Sequence, residues 1–406
     1  MNIKVVLPLV SALALSGCFE EDNSESPKPL VLSAAVKATT TCSSGYDMAI
    51  QTVAPDYSSS QVAMACIQEG GAVDGYLEND SDFSLSAGDK LYHLGRSLHH
   101  TVTQYDFNLL STANWTYSTN DSQETSSNPY KVLEVSSSKA YILRYDQTAV
   151  WIVDPSATDE QDFKIGELDL SDYVASTEAT TGTSVEMVDG AIVDGKLFIA
   201  MQRLRDGTQG KWGPAYSYTY ASKVAVFDIT TDSEIDTTPA DSTDEKAISL
   251  TGNNIQALSV ADSQIFAASR GDYDTNYGRL ETINSADYSV NTLLEGSSLE
   301  GHILDVVAIT DTQLYFLVDF SGYNDSQEWV SRQGLYKSSN GRVSTMLDKS
   351  LNTSFPAIEK DNDGTLWIAS ADESNPGVYR VDGTTNEADL FIPTLLNPTK
   401  IVFRDK

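Results

Sequence analysis

Basic side chains are scarce in this chain of 406 residues: 26 lysines and arginines stand against 58 aspartates and glutamates, a formal charge of −32. Long-range Coulomb repulsion from such a surface argues against nucleic acid and anionic lipid headgroups as partners. The acidity is spread along the chain, as solubility, for instance in a salty habitat, would require. Histidine is rarer still, with four copies, and cysteine has three. Gly-x-Ser-x-Gly, His-Glu-x-x-His and Cys-x-x-Cys-His do not occur, so hydrolase-elbow, zinc-protease and multihaem readings lose their usual support. Long apolar runs are also missing. The longest, Val5 to Leu15, falls well short of the about 20 residues that span a bilayer as a helix.

That apolar run follows Asn2 and Lys4 and precedes Ser16, Gly17 and Cys18, the order of a secretory signal peptide. Leu15, Ser16, Gly17 and Cys18 resemble the lipobox of bacterial lipoproteins. The resemblance implies that residues 1–17 are removed and that Cys18 is acylated as the mature N-terminus, holding the protein to a lipid bilayer. Phe19 stands where an aspartate would favour inner-membrane retention, so the resemblance points to the outer membrane, on either its periplasmic or its cell-surface side. Residues 18–41 are rich in Glu, Asp, Ser, Pro and Ala and read as a flexible tether. Residues 42–406 read as the folded domain.

Cys42 and Cys66 remain. An oxidising compartment lets them pair, and closing that loop contributes on the order of 3 kcal/mol in the chain-entropy model. The alternative, a metal pair, lacks histidine neighbours and ligand spacing.

From Val73 onward helical periodicity nearly vanishes, and short alternating strands bounded by Gly, Asn, Asp and Ser recur. The chain reads as all-β. One unit repeats at intervals of roughly 45 to 70 residues, a spacing that points to propeller blades. Each unit has a strand that opens with an apolar pair: Leu91-Tyr92, Ala140-Tyr141, Leu197-Phe198, Ile265-Phe266, Leu314-Tyr315 and Leu366-Trp367. Turn sequences such as Val193-Asp194-Gly195-Lys196 precede most of them. A further strand follows each, several ending in Asp or Asn, as at Asp154 and Asp228. A seventh blade can be assembled from Pro398 to Phe403 with Tyr46 to Val53 and Gln61 to Cys66. Seven blades fit better than six or eight.

These strands ending in Asp resemble the surface-layer, lactonase-like and virginiamycin-lyase-like propellers, most closely in Asp361-Asn362-Asp363-Gly364-Thr365-Leu366-Trp367-Ile368-Ala369. The resemblance implies the fold more strongly than any activity. The glycine and tryptophan signature of the outer-membrane assembly propeller lipoprotein is missing.

At or near the exit of the second strands stand Arg96, Arg144, Arg203 and Arg270, four of the ten arginines, followed by Asp319 and Asp372. Two readings are open: a partial ring of guanidinium groups facing a channel and gripping ligand oxygens, or inter-blade pairs with Asp106, Asp146, Asp154 or Asp228. The loops beyond carry aromatics, among them Trp212, Tyr273, Tyr323 and Trp329, either as ligand contacts or as packing over blade edges. Asp272, Asp274, Asn276 and Gly278 have the alternating spacing of a calcium loop, partly repeated at Asp361 and Asp363, but without the bidentate glutamate; Asp-Gly hairpin turns are the alternative. His99 and His100 fall in a loop of the binding face, and His302, beside Glu300, near it.

Two functions compete at this stage. One is a non-enzymatic binding lipoprotein for a small molecule or an outer-membrane transporter, resembling the surface propeller lipoproteins that work beside nutrient transporters and include captors of vitamin B12. The other is a propeller enzyme, a lactonase or lyase with a metal in its channel and catalytic help from acidic residues and His302. A structural or adhesive surface protein is a third reading.

Overall fold

The computed structural model describes residues 32–33, 42–43, 45–69, 72–78, 80–121, 126–175, 184–204, 220–238, 245–272, 277–324, 326–347, 353–372, 374–383 and 387–405. Cys18, Trp212, Tyr273, Asp274 and Asn276 lie outside them. Helix among the described residues is confined to three single 3₁₀ turns, and no helix is long and apolar enough to cross a membrane.

Seven antiparallel sheets, each built on a run of four strands, radiate from a central channel. Blade I begins at the inner strand Phe83–Ala87, blade II at Pro129–Ser136, blade III at Met187–Val193, blade IV at Ile255–Ala261, blade V at His302–Ala308 and blade VI at Ala357–Lys360. Blade VII takes its inner strand from Asn397–Phe403 and its other three from Met48–Val53, Ser60–Ala65 and Ala72–Glu78. Neighbouring inner strands touch all the way round, blade VII closing on blade I. The seventh blade is therefore assembled from both ends of the sequence, as expected.

The period-2 pattern of the second strands has a direct cause. Each is covered on both faces by an adjacent blade, so odd and even residues enter different cores. In blade III, Leu197, Ile199 and Met201 pack with blade II, while Phe198 and Ala200 pack with blade IV. The hydrophobic interior consists of seven such inter-blade clusters. Continuous burial explains why these strands read as unbroken apolar runs.

The turns explain the rest of the repeat. Asp194 and Gly195 both hold positive φ, at 51° and 72°, as a two-residue hairpin demands. Asp228, which ends a third strand, accepts the backbone N–H groups of Thr230 and Thr231 at 2.8 and 2.9 Å. Asp154 and Asn284 do the same for the turns after their strands. The recurrent strand-ending Asp is thus a turn former. Asp361 is another: Oδ1 accepts from Asp363 and Thr365, and Oδ2 from the Trp367 indole at 2.9 Å.

Cys42 and Cys66 form the disulfide, with Cα atoms 5.9 Å apart. Cys66 follows the third strand of blade VII, so the bond lies at the lower end of the propeller, opposite the loops that join second to third strands. Leu32–Ser33, inside the segment read as a free tether, runs parallel to Ala388 and Asp389 at the lower end of blade VI's outer strand. That pairing departs from the sequence expectation: an edge strand offers unpaired N–H and C=O groups to any extended segment nearby.

Candidate functional site

The upper face carries the loops that join second to third strands and those that join successive blades. The four arginines all reach this end but do not form one ring. Arg96 and Arg270 are the sixth residues counted from their strands' apolar pairs, Arg144 the fifth and Arg203 the seventh. A one-residue offset in a strand turns a side chain to the opposite face.

Arg144 is accordingly fully buried. Its guanidinium donates to the Thr119 carbonyl at 3.0 Å, the Ala149 carbonyl at 3.4 Å and Asp121 Oδ2 at 2.5 Å, above the Trp151 ring at 4.5 Å. It pins the link between blades I and II, through Asp121 rather than any of the four aspartates considered above. Arg203 donates to the Tyr173 and Ala221 carbonyls, and burial lowers its pKa. Arg270 bridges blades IV and V through Asp319 Oδ2 at 3.4 Å. Only Arg96 among the four borders the channel cavity; its guanidinium stacks on Tyr130 at 3.9 Å.

Further contacts line part of the channel mouth. Tyr130 stacks on Tyr145 at 4.4 Å, and the Tyr145 hydroxyl donates to Gln202 at 2.7 Å. His302 sets Nδ1 3.0 Å from the Arg270 carbonyl and its ring against Tyr277. Burial lowers the His302 pKa, so it stands neutral as a packed rim residue. His99 approaches Asp80 at 3.4 Å, and His100 Nδ1 accepts the Asn128 N–H at 3.3 Å.

Tyr323 projects from the loop of blade V, 70% exposed, and Trp329 lies on the short strand that pairs with it. Asp272 is buried, and its carbonyl accepts from Arg270; Asp274 and Asn276, the other candidate calcium ligands, lie outside the described residues. Gly278 has its own explanation. A Cβ on it would collide with the Ser269 carbonyl across the strand pair. Among the described residues no three His, Cys, Asp or Glu side chains converge as a metal site would require.

The channel holds what the sequence reading did not single out. The inner strands of blades II, III, IV, V and VII each carry a β-bulge at the same depth, skipping Tyr130, Val188, Gln256, Leu304 and Thr399. A bulge re-aims the residue after it. The equivalent residues are Ser84, Lys131, Asp189, Ala257, Asp305, Ala357 and Lys400 around the ring. Four are charged, two of each sign.

Lys131 donates to Asp189 Oδ1 of the next blade at 2.5 Å and to the Gly190 carbonyl at 2.9 Å. Burial works against its ammonium, but Asp189 prevails and the pKa is raised. Asp189 Oδ2 also accepts the Leu258 N–H of blade IV at 2.8 Å. Asp305 repeats this arrangement between blades V and VI: Oδ1 accepts from Val306 at 2.8 Å and Oδ2 from Ile358 at 3.3 Å. Burial pushes its pKa up to about 7, with Lys400 acting in the opposite sense and Glu359 adding to the rise. These side chains line a cavity of about 480 Å³ that runs along the axis. Aligning the inner strands, rather than the second strands, would have found them: each stands third or fourth in its strand.

Seven blades, an axial cavity and polar and aromatic contacts at its mouth define a seven-bladed β-propeller. No family model matches the sequence, and no curated protein does. Solved structures match by shape. A candidate 6-phosphogluconolactonase from Bacteroides fragilis NCTC 9343 is similar at 11% identity and a TM-score of 0.57, over 90% of this chain and 100% of that one. A protein from Lactobacillus plantarum is similar at 10% identity and 0.54, over 88% and 99%. A streptogramin B lyase is similar at 8% identity and 0.50, over 81% and 92%. Likeness at these identities establishes the fold alone.

Proposed function

We propose that this protein is a membrane-anchored binding lipoprotein, whose upper face and channel take up a small polar ligand beside an outer-membrane transporter. The observation that carries the reading is the cavity of about 480 Å³ with charged residues along its wall, a size and polarity suited to a small molecule. Apolar exposure adds to it. The large hydrophobic residues at least 70% exposed are Tyr57, Leu98, Tyr323 and Leu395, all on upper-face loops of blades VII, I and V and of the link from VI to VII. Exposed apolar side chains gathered on one face offer contact area to a partner. The body is joined to residues 18–41 at its lower end, through Cys42, so the acyl anchor on Cys18 would leave the upper face pointing away from its own membrane.

The test is native mass spectrometry of the full chain after incubation with a small-molecule extract of the cells that make it. A single bound mass at one per chain, with a raised melting temperature, is the expected result. Absence of any bound small molecule would overturn the proposal in favour of a surface or enzymatic role.

A further inference from the structure

The same charge pair occurs twice in the channel, once closed and once open. In blades II and III, Lys131 and Asp189 are neighbours and join directly at 2.5 Å. In blades V and VII, Asp305 and Lys400 are separated by blade VI, where the equivalent residue is Ala357, a methyl packed into the core. Nothing charged bridges them at that level. Lys400 pairs through its backbone with Gln51, while its ammonium has no direct hydrogen-bond or ion-pair partner among the described residues and acts on Asp305 only at longer range; the Asp305 carboxyl receives two backbone N–H groups, half of what a carboxylate accepts. Glu359, one step further along blade VI, adds a second carboxyl to the same wall and takes only the Lys360 N–H at 3.0 Å.

We propose that the channel binds a small zwitterion of the amino-acid or betaine class, its carboxylate against Lys400 and its cationic nitrogen against Asp305 and Glu359. The inference rests on the ligand-binding reading above and names the ligand's class. Charge balance selects it. With Lys131 joined to Asp189 and Lys360 held by the Val260 and Ala308 carbonyls, an anion alone would meet Lys400 but face two carboxyls, while a cation alone would meet the carboxyls but be opposed by Lys400, whose charge acts on Asp305. A molecule carrying both charges completes both halves, as Lys131 and Asp189 complete each other. Burial is the main cause of the raised Asp305 pKa, with Lys400 opposing the rise and Glu359 adding to it, so all three charges act on one another across this wall.

The full chain is titrated calorimetrically with glycine betaine and each of the twenty amino acids, and with propylamine and propionate as single-charge halves. At least one zwitterion binds, and the halves bind about 100-fold more weakly or not at all. Lys400→Met weakens that zwitterion about tenfold or more without lowering the melting temperature, because the lysine holds nothing in the fold; Asp305→Asn weakens it as well. Binding that is unchanged in Lys400→Met, or failure of all twenty-one zwitterions to bind, overturns the proposal. A non-zwitterionic ligand recovered from the cell extract also overturns it while upholding ligand capture. An extract that yields no ligand overturns both.

Discussion

Arg144→Ala removes a guanidinium that has no exposed surface and makes three hydrogen bonds, to Thr119, Ala149 and Asp121, with the Trp151 ring beneath it. Breaking a buried ion pair by deleting one partner costs about 3–5 kcal/mol. Asp121 moderates the loss, because it keeps Lys164 at 2.9 Å and its side chain is 43% exposed. The two carbonyls lose a charged donor, each worth about 1–3 kcal/mol if left unsatisfied. The balance is a destabilisation of about 3–4 kcal/mol. For a domain of this size that lowers the melting temperature by roughly 4–5 °C. Arg144→Lys recovers only part of it, since an ammonium cannot fork to three acceptors. The assay is thermal and urea unfolding of the full chain beside ligand titration. Should Arg144→Ala melt with the wild type while losing ligand, the arginine acts on the ligand and the assignment as an inter-blade pin is wrong.

Other consequences can be checked in the same preparation. Asp305, raised to about 7, keeps its proton in the folded state while the unfolded carboxyl loses its own near 3.9, so stability falls from about pH 4 to pH 7 with a slope of up to about 1.4 kcal/mol per pH unit; Asp305→Asn flattens that slope, and carbon NMR of the carboxyl reports the titration. His93 is buried against Phe83 at 4.4 Å, and burial lowers its pKa to about 3, His99 adding to the shift. It stays neutral in the fold while the unfolded ring protonates, so its own contribution is lost as pH falls from about 6.5 towards 3, opposite in sign to that of Asp305 between about pH 4 and 6.5; His93→Phe removes this opposing contribution and steepens the fall of stability with rising pH. Reducing Cys42–Cys66 costs on the order of 3 kcal/mol, and a Cys42→Ser chain that unfolds at the wild-type urea midpoint would refute that estimate.

What the sequence made legible was whatever local chemistry determines. Leu197-Phe198 and its five counterparts announced the second strands because both faces of those strands are buried, and Asp154 and Asp228 announced the turns because their carboxylates cap the backbone beyond them. The seventh blade was legible as two incomplete sets of strands. The site was legible less well. Arg144 looks equivalent to Arg96 and Arg270 in spacing, yet one residue of offset sends it into the protein. Lys131, Asp189, Asp305 and Lys400 went unnoticed because bulges, which leave no mark in composition, bring scattered charges to one level.

Blade VII has a consequence for how the chain reaches its final form. Its inner strand bonds to a strand made far earlier in synthesis, with Thr399 donating to the carbonyl of Gln51 across 348 residues. Until Asn397–Phe403 arrives, Met48–Val53 presents an unpaired edge, open to pairing with the wrong chain. A copy broken off short of that strand cannot shut the circle. The closing strand therefore decides whether the ring shuts, because only its pairing satisfies the backbone edge of Met48–Val53.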